Sequence, residues 1–252
     1  MPDNHTIEQL FDGIAPDYDR MNHLMSFNTD RRWRKVAVRH IADTPEPLQV
    51  LDLATGTGDF AIAIAQKLTA GSHVTGVDLS EKMLELGRGK VLAKGLSEWL
   101  ELVRGNAEQL PFADESFDRV SVAFGVRNYE NLQKGLSEAC RVLRRDGKLV
   151  VLELSYPDNR FLLWCYKLYA LKVLPWLGGI VSGDRAAYTY LPESVLRFPK
   201  GVEFMTLLRD AGFGQCSEKK LTFGVCRMYV AEKKFNGSHF MRVKNRIFAS
   251  LK

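Results

Sequence analysis

Gln49-Val50-Leu51-Asp52-Leu53-Ala54-Thr55-Gly56-Thr57-Gly58-Asp59-Phe60-Ala61 reads as a short apolar strand that runs through a glycine turn straight into a helix. Glycines at this point let the backbone turn sharply and approach a ligand closely. The helix that follows offers unpaired N–H groups at its start.

The same alternation continues on either side of this turn. Val74 to Val77, Leu100 to Val103, Phe117 to Phe124 and Lys148 to Leu152 are β-rich runs. Helical patterns at Ala61 to Leu68, Lys82 to Ala93 and Leu132 to Leu143 separate them. Strands alternating with helices predict an α/β fold, a Rossmann-like and mostly parallel sheet covered on both faces. Further on, Phe204 to Ala211 reads as a helix stopped at Gly212, and Gln215 to Leu221 and Gly224 to Ala231 as two strands joined around Thr222-Phe223. A closing antiparallel hairpin is unusual for a dinucleotide-binding fold.

At 252 residues and 46% hydrophobic, the chain is long enough for one substantial core. We expect a single domain over 1–234, followed by a basic amphipathic tail at 235–252. Within the domain, a helical cap at 1–42 precedes a cofactor-binding core at 48–155. A helical substrate insertion at 156–200 and the last helix and hairpin at 201–234 complete it. In the cap, Ile7, Leu10, Phe11 and Ile14 recur at helical spacing before Pro16 interrupts them.

Gly56-Thr57-Gly58-Asp59-Phe60-Ala61 satisfies G-x-G-x-x-A, so glycine spacing alone leaves an NAD-dependent oxidoreductase open. Asp52 argues against it, because an acid beside a pyrophosphate is costly whereas an ammonium group suits it. Asp78, at the end of the second strand, is placed to accept the ribose hydroxyls of an adenosine, which either cofactor carries. After the third strand comes Gly105-Asn106-Ala107-Glu108-Gln109-Leu110-Pro111-Phe112. This stretch resembles the segment with which class I methyltransferases hold the adenine of S-adenosyl-L-methionine (SAM), which implies Asn106 and Ala107 as contacts.

Four further segments narrow the resemblance. They are Phe11 to Asn22 continuing to Ser26 and Trp33, Ala123-Phe124-Gly125-Val126-Arg127-Asn128, Arg141 to Ser155, and Tyr188-Thr189-Tyr190-Leu191-Pro192-Glu193-Ser194. Together they resemble the ubiquinone/menaquinone biosynthesis C-methyltransferase family over nearly the whole chain. The resemblance departs at Asp30, where the family pattern has His, at Ala123 for Ser, and at Arg145-Asp146-Gly147 for Pro-Gly-Gly.

The resemblance implies a class I methyltransferase fold with a seven-stranded sheet, SAM as cofactor, and C-methylation of a polyprenyl quinol, demethylmenaquinol or a related benzoquinol. Another hydrophobic phenol is the alternative acceptor. It implies Asp52, Gly56, Thr57, Gly58, Asp78, Asn106, Ala107 and Ala123 around the cofactor, with Tyr18 closing over it. Residues at the carboxyl ends of the fourth and fifth strands would lie nearest the reaction, which selects Arg127, Asn128 and Glu153. Arg127 would stabilise the developing oxyanion, and Tyr188 and Tyr190 would orient the acceptor or relay its protons. Packing is the competing role for each tyrosine, and a pair with Asp118 or Glu130 for Arg127.

Composition limits the remaining classes. Cys140, Cys165, Cys216 and Cys226 form no CxxC pair, so no metal site or disulfide is expected. No run approaches the roughly 18 uncharged apolar residues of a membrane span, which with the polar start predicts a cytoplasmic protein. Of the net charge of +5, much resides in the six Lys and Arg between Lys233 and Lys252, where no acid occurs. That tail, and the aromatic stretch Phe161 to Val181 with Lys167 and Lys172, suit peripheral contact with the inner face of a membrane. A core or dimer helix is the competing reading of the insertion, and disorder that of the tail. No nucleic-acid recognition pattern is present.

Overall fold

The computed structural model describes residues 3–169 and 185–234, with the backbone alone at 17, 24 and 185–189. The expectations for Leu171, Lys172, Val173 and Leu174 and for the tail at 235–252 lie outside the described residues.

Seven strands form one sheet: β1 (Gln49–Leu53), β2 (His73–Asp78), β3 (Leu100–Arg104), β4 (Phe117–Ala123), β5 (Leu143–Leu154), β6 (Phe213–Leu221) and β7 (Cys226–Lys233). Their order is β3-β2-β1-β4-β5-β7-β6, with β7 antiparallel to both β5 and β6 and the other pairings parallel. This is the expected mostly parallel sheet with a closing hairpin.

Helices cover both faces, which explains why the central strands are apolar at almost every position. On one face Leu51, Leu53, Val120, Val122, Leu149 and Val151 pack against α6 (Leu132–Val142) and the last helix, α9 (Val202–Asp210). On the other, Val50, Val74, Val150 and Leu152 pack against Trp33, Ala37 and Ile41 of α3 (Thr29–Ile41). Ala61 and Ile64 of α4 (Asp59–Ala65) and Leu84 of α5 (Glu81–Ala93) complete that layer.

β5 begins earlier than its hydrophobic run suggests. Phe117 pairs with Leu143 and Arg119 with Lys148, so the residues between loop out of the ladder, with Asp146 left-handed at φ 61°. Asp tolerates that conformation better than most residues, which is why Arg145-Asp146-Gly147 serves as the turn.

Before the sheet, α1 (Asn4–Ile14), a 3₁₀ turn at Ala15–Asp17 and α2 (Tyr18–Met25) join α3 to make the cap. Asp3 caps α1 by accepting from the Thr6 N–H at 2.8 Å, and Pro16 sits within the 3₁₀ turn. After β5, α7 (Arg160–Leu168) and α8 (Arg185–Arg197) flank the carboxyl ends of the strands. Among the described residues, no helix is long and apolar enough to cross a membrane.

Candidate active site

The turn after β1 is held from both sides. The Thr55 N–H donates to Val77 O at 3.0 Å, and the Gly56 N–H donates to Asp78 Oδ2 at 2.7 Å. Gly56 (φ 56°) and Gly58 (φ 78°) take left-handed conformations that strain any other residue.

Asp78 spans the gap between strand and helix. Its Oδ1 accepts from the Ser80 N–H at 2.9 Å, and burial raises its pKa against the pull of these backbone donors. The carboxylate opens on a narrow pocket that Gly56, Asn106, Ala107, Tyr18 and Asn128 also line. Asn106 Oδ1 accepts from the Glu108 N–H at 2.8 Å, so this side chain shapes its own loop as well as the pocket wall. The buried Tyr129 hydroxyl, on a ring that also lines the pocket, has no partner among the described residues.

Electrostatics separates the two cofactors that the glycine spacing left open. The described lining carries Glu8, Asp78 and Glu108 and neither Lys nor Arg. Within this pocket a pyrophosphate would meet carboxylates and no lysine or arginine among the described residues, whereas an adenosine bearing a cationic sulfonium is favoured.

Asp52, Thr57, Gly58 and Ala123 do not line this pocket. Asp52 is 1% exposed; it accepts from Ser121 Oγ at 2.6 Å and Thr55 Oγ1 at 2.7 Å, and burial pushes its pKa up to about 6. Its oxygens therefore brace the turn from within. Thr57 Oγ1 donates to Asp19 Oδ1 at 2.5 Å and accepts from Lys90 Nζ at 2.9 Å, which ties the turn to the cap. Gly58 precedes α4 at its N-cap, and a Cβ there would meet Leu102 at 3.3 Å, so this glycine serves helix packing. Ala123 packs on the α3 side of the sheet.

Beyond a wall of Phe11, Tyr18 and Phe124, which line both spaces, lies a cavity of about 340 Å³. Its walls are mostly apolar and come from the cap, the end of β5, α7, α8 and the β6–β7 turn. The phenol of Tyr18 is buried, which raises its pKa against the opposing charges of Arg127 and Arg34.

Arg127 enters this cavity from a 3₁₀ turn at Val126–Asn128. Its Nη1 donates to Glu153 Oε1 at 2.8 Å and to the Phe124 carbonyl, and its Nε to Ser194 Oγ at 3.3 Å. The sequence-based alternatives for its partner do not occur: Asp118 takes Arg144, and Glu130 accepts from the Asn4 N–H. Glu153 is 1% exposed and lines neither space; it holds Arg127 from beneath. The Tyr190 hydroxyl donates to Asn128 Oδ1 at 3.0 Å, which links the broad cavity to the narrow pocket. The side chain of Tyr188 lies outside the described residues.

A charged cluster fastening the cap escaped sequence reasoning. Asp30 accepts from His23 Nδ1 at 2.9 Å and Arg34 Nη1 at 2.6 Å, and Lys90 bridges Asp19 at 2.7 Å and Asp59 at 2.6 Å. Asp30, noted only as a replacement for His, is the one member that carried a signal.

A model of the ubiE/COQ5 methyltransferase family matches residues 2–233. The chain belongs to the ubiE/COQ5 methyltransferase family. Among its relatives, the demethylmenaquinone methyltransferase of Bacteroides fragilis is 44% identical over 227 residues, 90% of this chain and 92% of that protein. The ubiquinone/menaquinone biosynthesis C-methyltransferase UbiE of Geobacter sulfurreducens is 44% identical across 90% of this chain and 88% of its own. Solved structures agree on the fold: a SAM-dependent methyltransferase of Thermotoga maritima superposes with a TM-score of 0.59 at 20% identity, covering 90% of this chain and 99% of that one. The cyclase SpnF gives 0.67 at 17% identity, covering 93% and 98%. A cyclase on the same fold shows that architecture alone does not fix the chemistry. In this ubiE/COQ5 methyltransferase, sequence kinship carries it.

Proposed function

We propose that this methyltransferase transfers a methyl group from SAM to a ring carbon of a polyprenyl quinol, demethylmenaquinol or the related benzoquinol. The observation that carries the reading is an apolar cavity holding a buried, carboxylate-braced arginine, separated by Tyr18 and Phe124 from a narrow acidic cleft that Asp78 lines. The names of the relatives support the same acceptor.

Asp78 would accept the ribose hydroxyls, and Asn106 and Ala107 would flank the adenine. When bound, SAM supplies an electrophilic methyl on a sulfonium. The protein then has to bring an acceptor carbon in line with it at about 3–3.5 Å. An aromatic carbon becomes nucleophilic when the neighbouring phenol ionises, yet such a phenol has a pKa of about 10 in water. Arg127 stabilises the phenolate oxygen through Nη2, which makes no hydrogen bond to a described residue. Glu153 keeps the guanidinium from turning away, Tyr190 holds the acceptor edge beside Asn128, and Tyr18 closes the wall against water.

A lipid-dissolved acceptor also explains the outer surface. Phe27 (75% exposed), Phe161, Trp164 and Phe223 (80% exposed) belong to the same segments that line the cavity. Such apolar side chains at a cavity mouth suit contact with a membrane surface.

The test is transfer of labelled methyl from SAM to demethylated naphthoquinol and benzoquinol acceptors. The expected product is C-methylated quinol from at least one; label on neither acceptor, or on oxygen, rejects the reading.

A further inference from the structure

SAM carries a carboxylate as well as an ammonium at its amino-acid end, and the adenosine pocket offers that carboxylate no cation among its described residues. The nearest candidates lie past Tyr18 and Phe124, where Arg34 and Arg127 are the Lys or Arg residues among the described lining of the broad cavity. They present different edges. Arg127 spends Nη1 on Glu153 and Phe124 and Nε on Ser194, leaving one nitrogen, which suits a single oxygen atom. Arg34 spends Nη1 on Asp30 and faces Asp59 at 3.5 Å, while its buried Nε has no partner among the described residues. No described residue accepts from its Nη2 either.

The Nε–Nη2 edge is the two-pronged face with which arginine binds carboxylates. A buried donor left unpaired is unfavourable until a ligand supplies the acceptor. Position agrees with this. The Arg34 guanidinium lies 5.6 Å above the ring of Phe124, a residue common to both spaces, and its charge bears on Asp52 at the end of β1.

We infer that Arg34 binds the carboxylate of the cofactor's amino-acid end, leaving Arg127 for the ring oxygen of the acceptor. This inference rests on the SAM reading above and deepens it. Asp30 and Asp59 act as positioning residues that hold Arg34 by Nη1 so that its free edge faces the ligand.

Calorimetric binding of three thioethers tests it. S-adenosylhomocysteine carries both charges, its decarboxylated aminopropyl analogue only the ammonium, and methylthioadenosine neither. The wild type is expected to prefer S-adenosylhomocysteine over the decarboxylated analogue by about 30-fold, the ratio a charge-assisted bidentate contact supplies. Arg34→Met should abolish that preference while leaving methylthioadenosine affinity unchanged, which also shows that the variant folds. Arg34→Lys, which keeps the charge without the fork, should retain only part of it, and the double variant Arg127→Met/Glu153→Gln should keep it in full. A preference that survives in Arg34→Met, or disappears in Arg127→Met/Glu153→Gln alone, overturns the assignment. Failure of the wild type to bind S-adenosylhomocysteine or methylthioadenosine instead overturns the SAM reading itself.

Discussion

Asp52 shows how a motif residue can brace a loop from within, through Thr55 and Ser121. Burial lifts its pKa to about 6 from an ordinary 3.8, so the folded chain holds that proton more tightly than the unfolded one. Its contribution is therefore most favourable at low pH and declines as pH rises through the window from about 4 to 6. Asp52→Asn removes the ionisation. In the ligand-free protein, its stability relative to wild type should improve by about 1 kcal/mol between pH 5 and pH 8. Denaturant melts at the two pH values check this, and a difference that does not change with pH removes the argument. Arg127 and Glu153 form a pair that must be changed together. Glu153→Gln alone strands a buried guanidinium and is expected to cost about 3–5 kcal/mol. The double variant Arg127→Met/Glu153→Gln should recover much of that stability, bind S-adenosylhomocysteine, and still methylate at least ~10²-fold more slowly, a typical loss for an electrostatic group. Turnover near wild type in the double variant eliminates the oxyanion role. The place of Arg127 in the cavity wall was legible because it stands just past the end of a strand in a recognisable segment. Glu153 as its support was not, since the choice between Glu153, Asp118 and Glu130 depends on how β4 and β5 lie together.

At the scale of elements, strands and helices followed from periodicity because each central strand is buried on both faces and each helix on one. The pairing of Leu143 with Phe117 did not, because it lies ahead of the polar turn Arg144 to Gly147, cut off from the hydrophobic run that marks the strand. The attachment of the cap was also hidden. Its fastening side chains, Asp19, Asp30, Asp59 and Lys90, are spread over seventy residues and look like solvated charges one at a time. In the fold they clamp α2 and α3 to the glycine turn through Thr57, and Asp12 adds a bond from Ser80 Oγ at 2.5 Å. Because Asp19, Asp59 and Lys90 are partly exposed, their part of the clamp is local and sensitive to salt. Lys90→Met should therefore leave the melting temperature within a few degrees of wild type, speed proteolysis between α2 and α3, and weaken S-adenosylhomocysteine binding by about 10-fold, the equivalent of one charge-assisted bond. Unaltered proteolysis and affinity would show that apolar contacts, such as those of Ile7 and Met21, hold the cap without help.

Taken as a whole, the molecule gathers both candidate spaces at the carboxyl ends of its parallel strands. β1, β2, β4 and β5 end there, the cap closes over them, and the β6–β7 turn meets the cap where Trp33 Nε1 donates to Thr222 Oγ1 at 2.8 Å. Phe223, in that turn, adopts φ 57°, a costly conformation for an aromatic residue that is also 80% exposed. Phe161 stacks on Trp164 with ring centroids 6.3 Å apart, and Phe27 lies 6.1 Å from Tyr169. These rings occupy the segments around the broad cavity, so the docking proposed for this surface would turn that cavity toward the bilayer interface. Substituting Phe223 and Trp164 by Ser should lower binding to phospholipid vesicles and slow methylation of a long-tailed quinol embedded in them. Rates on a short-tailed quinol in buffer should stay within about 2-fold, because neither side chain lines the cavity and exposed substitutions change stability little. A parallel deletion of 235–252 separates the two membrane expectations. If the tail supplies the attraction through its charge, its removal abolishes the salt-sensitive part of vesicle binding, whereas the aromatic substitutions reduce binding that persists at high salt. Vesicle binding unchanged by either alteration would mean that the quinol reaches the cavity by another route.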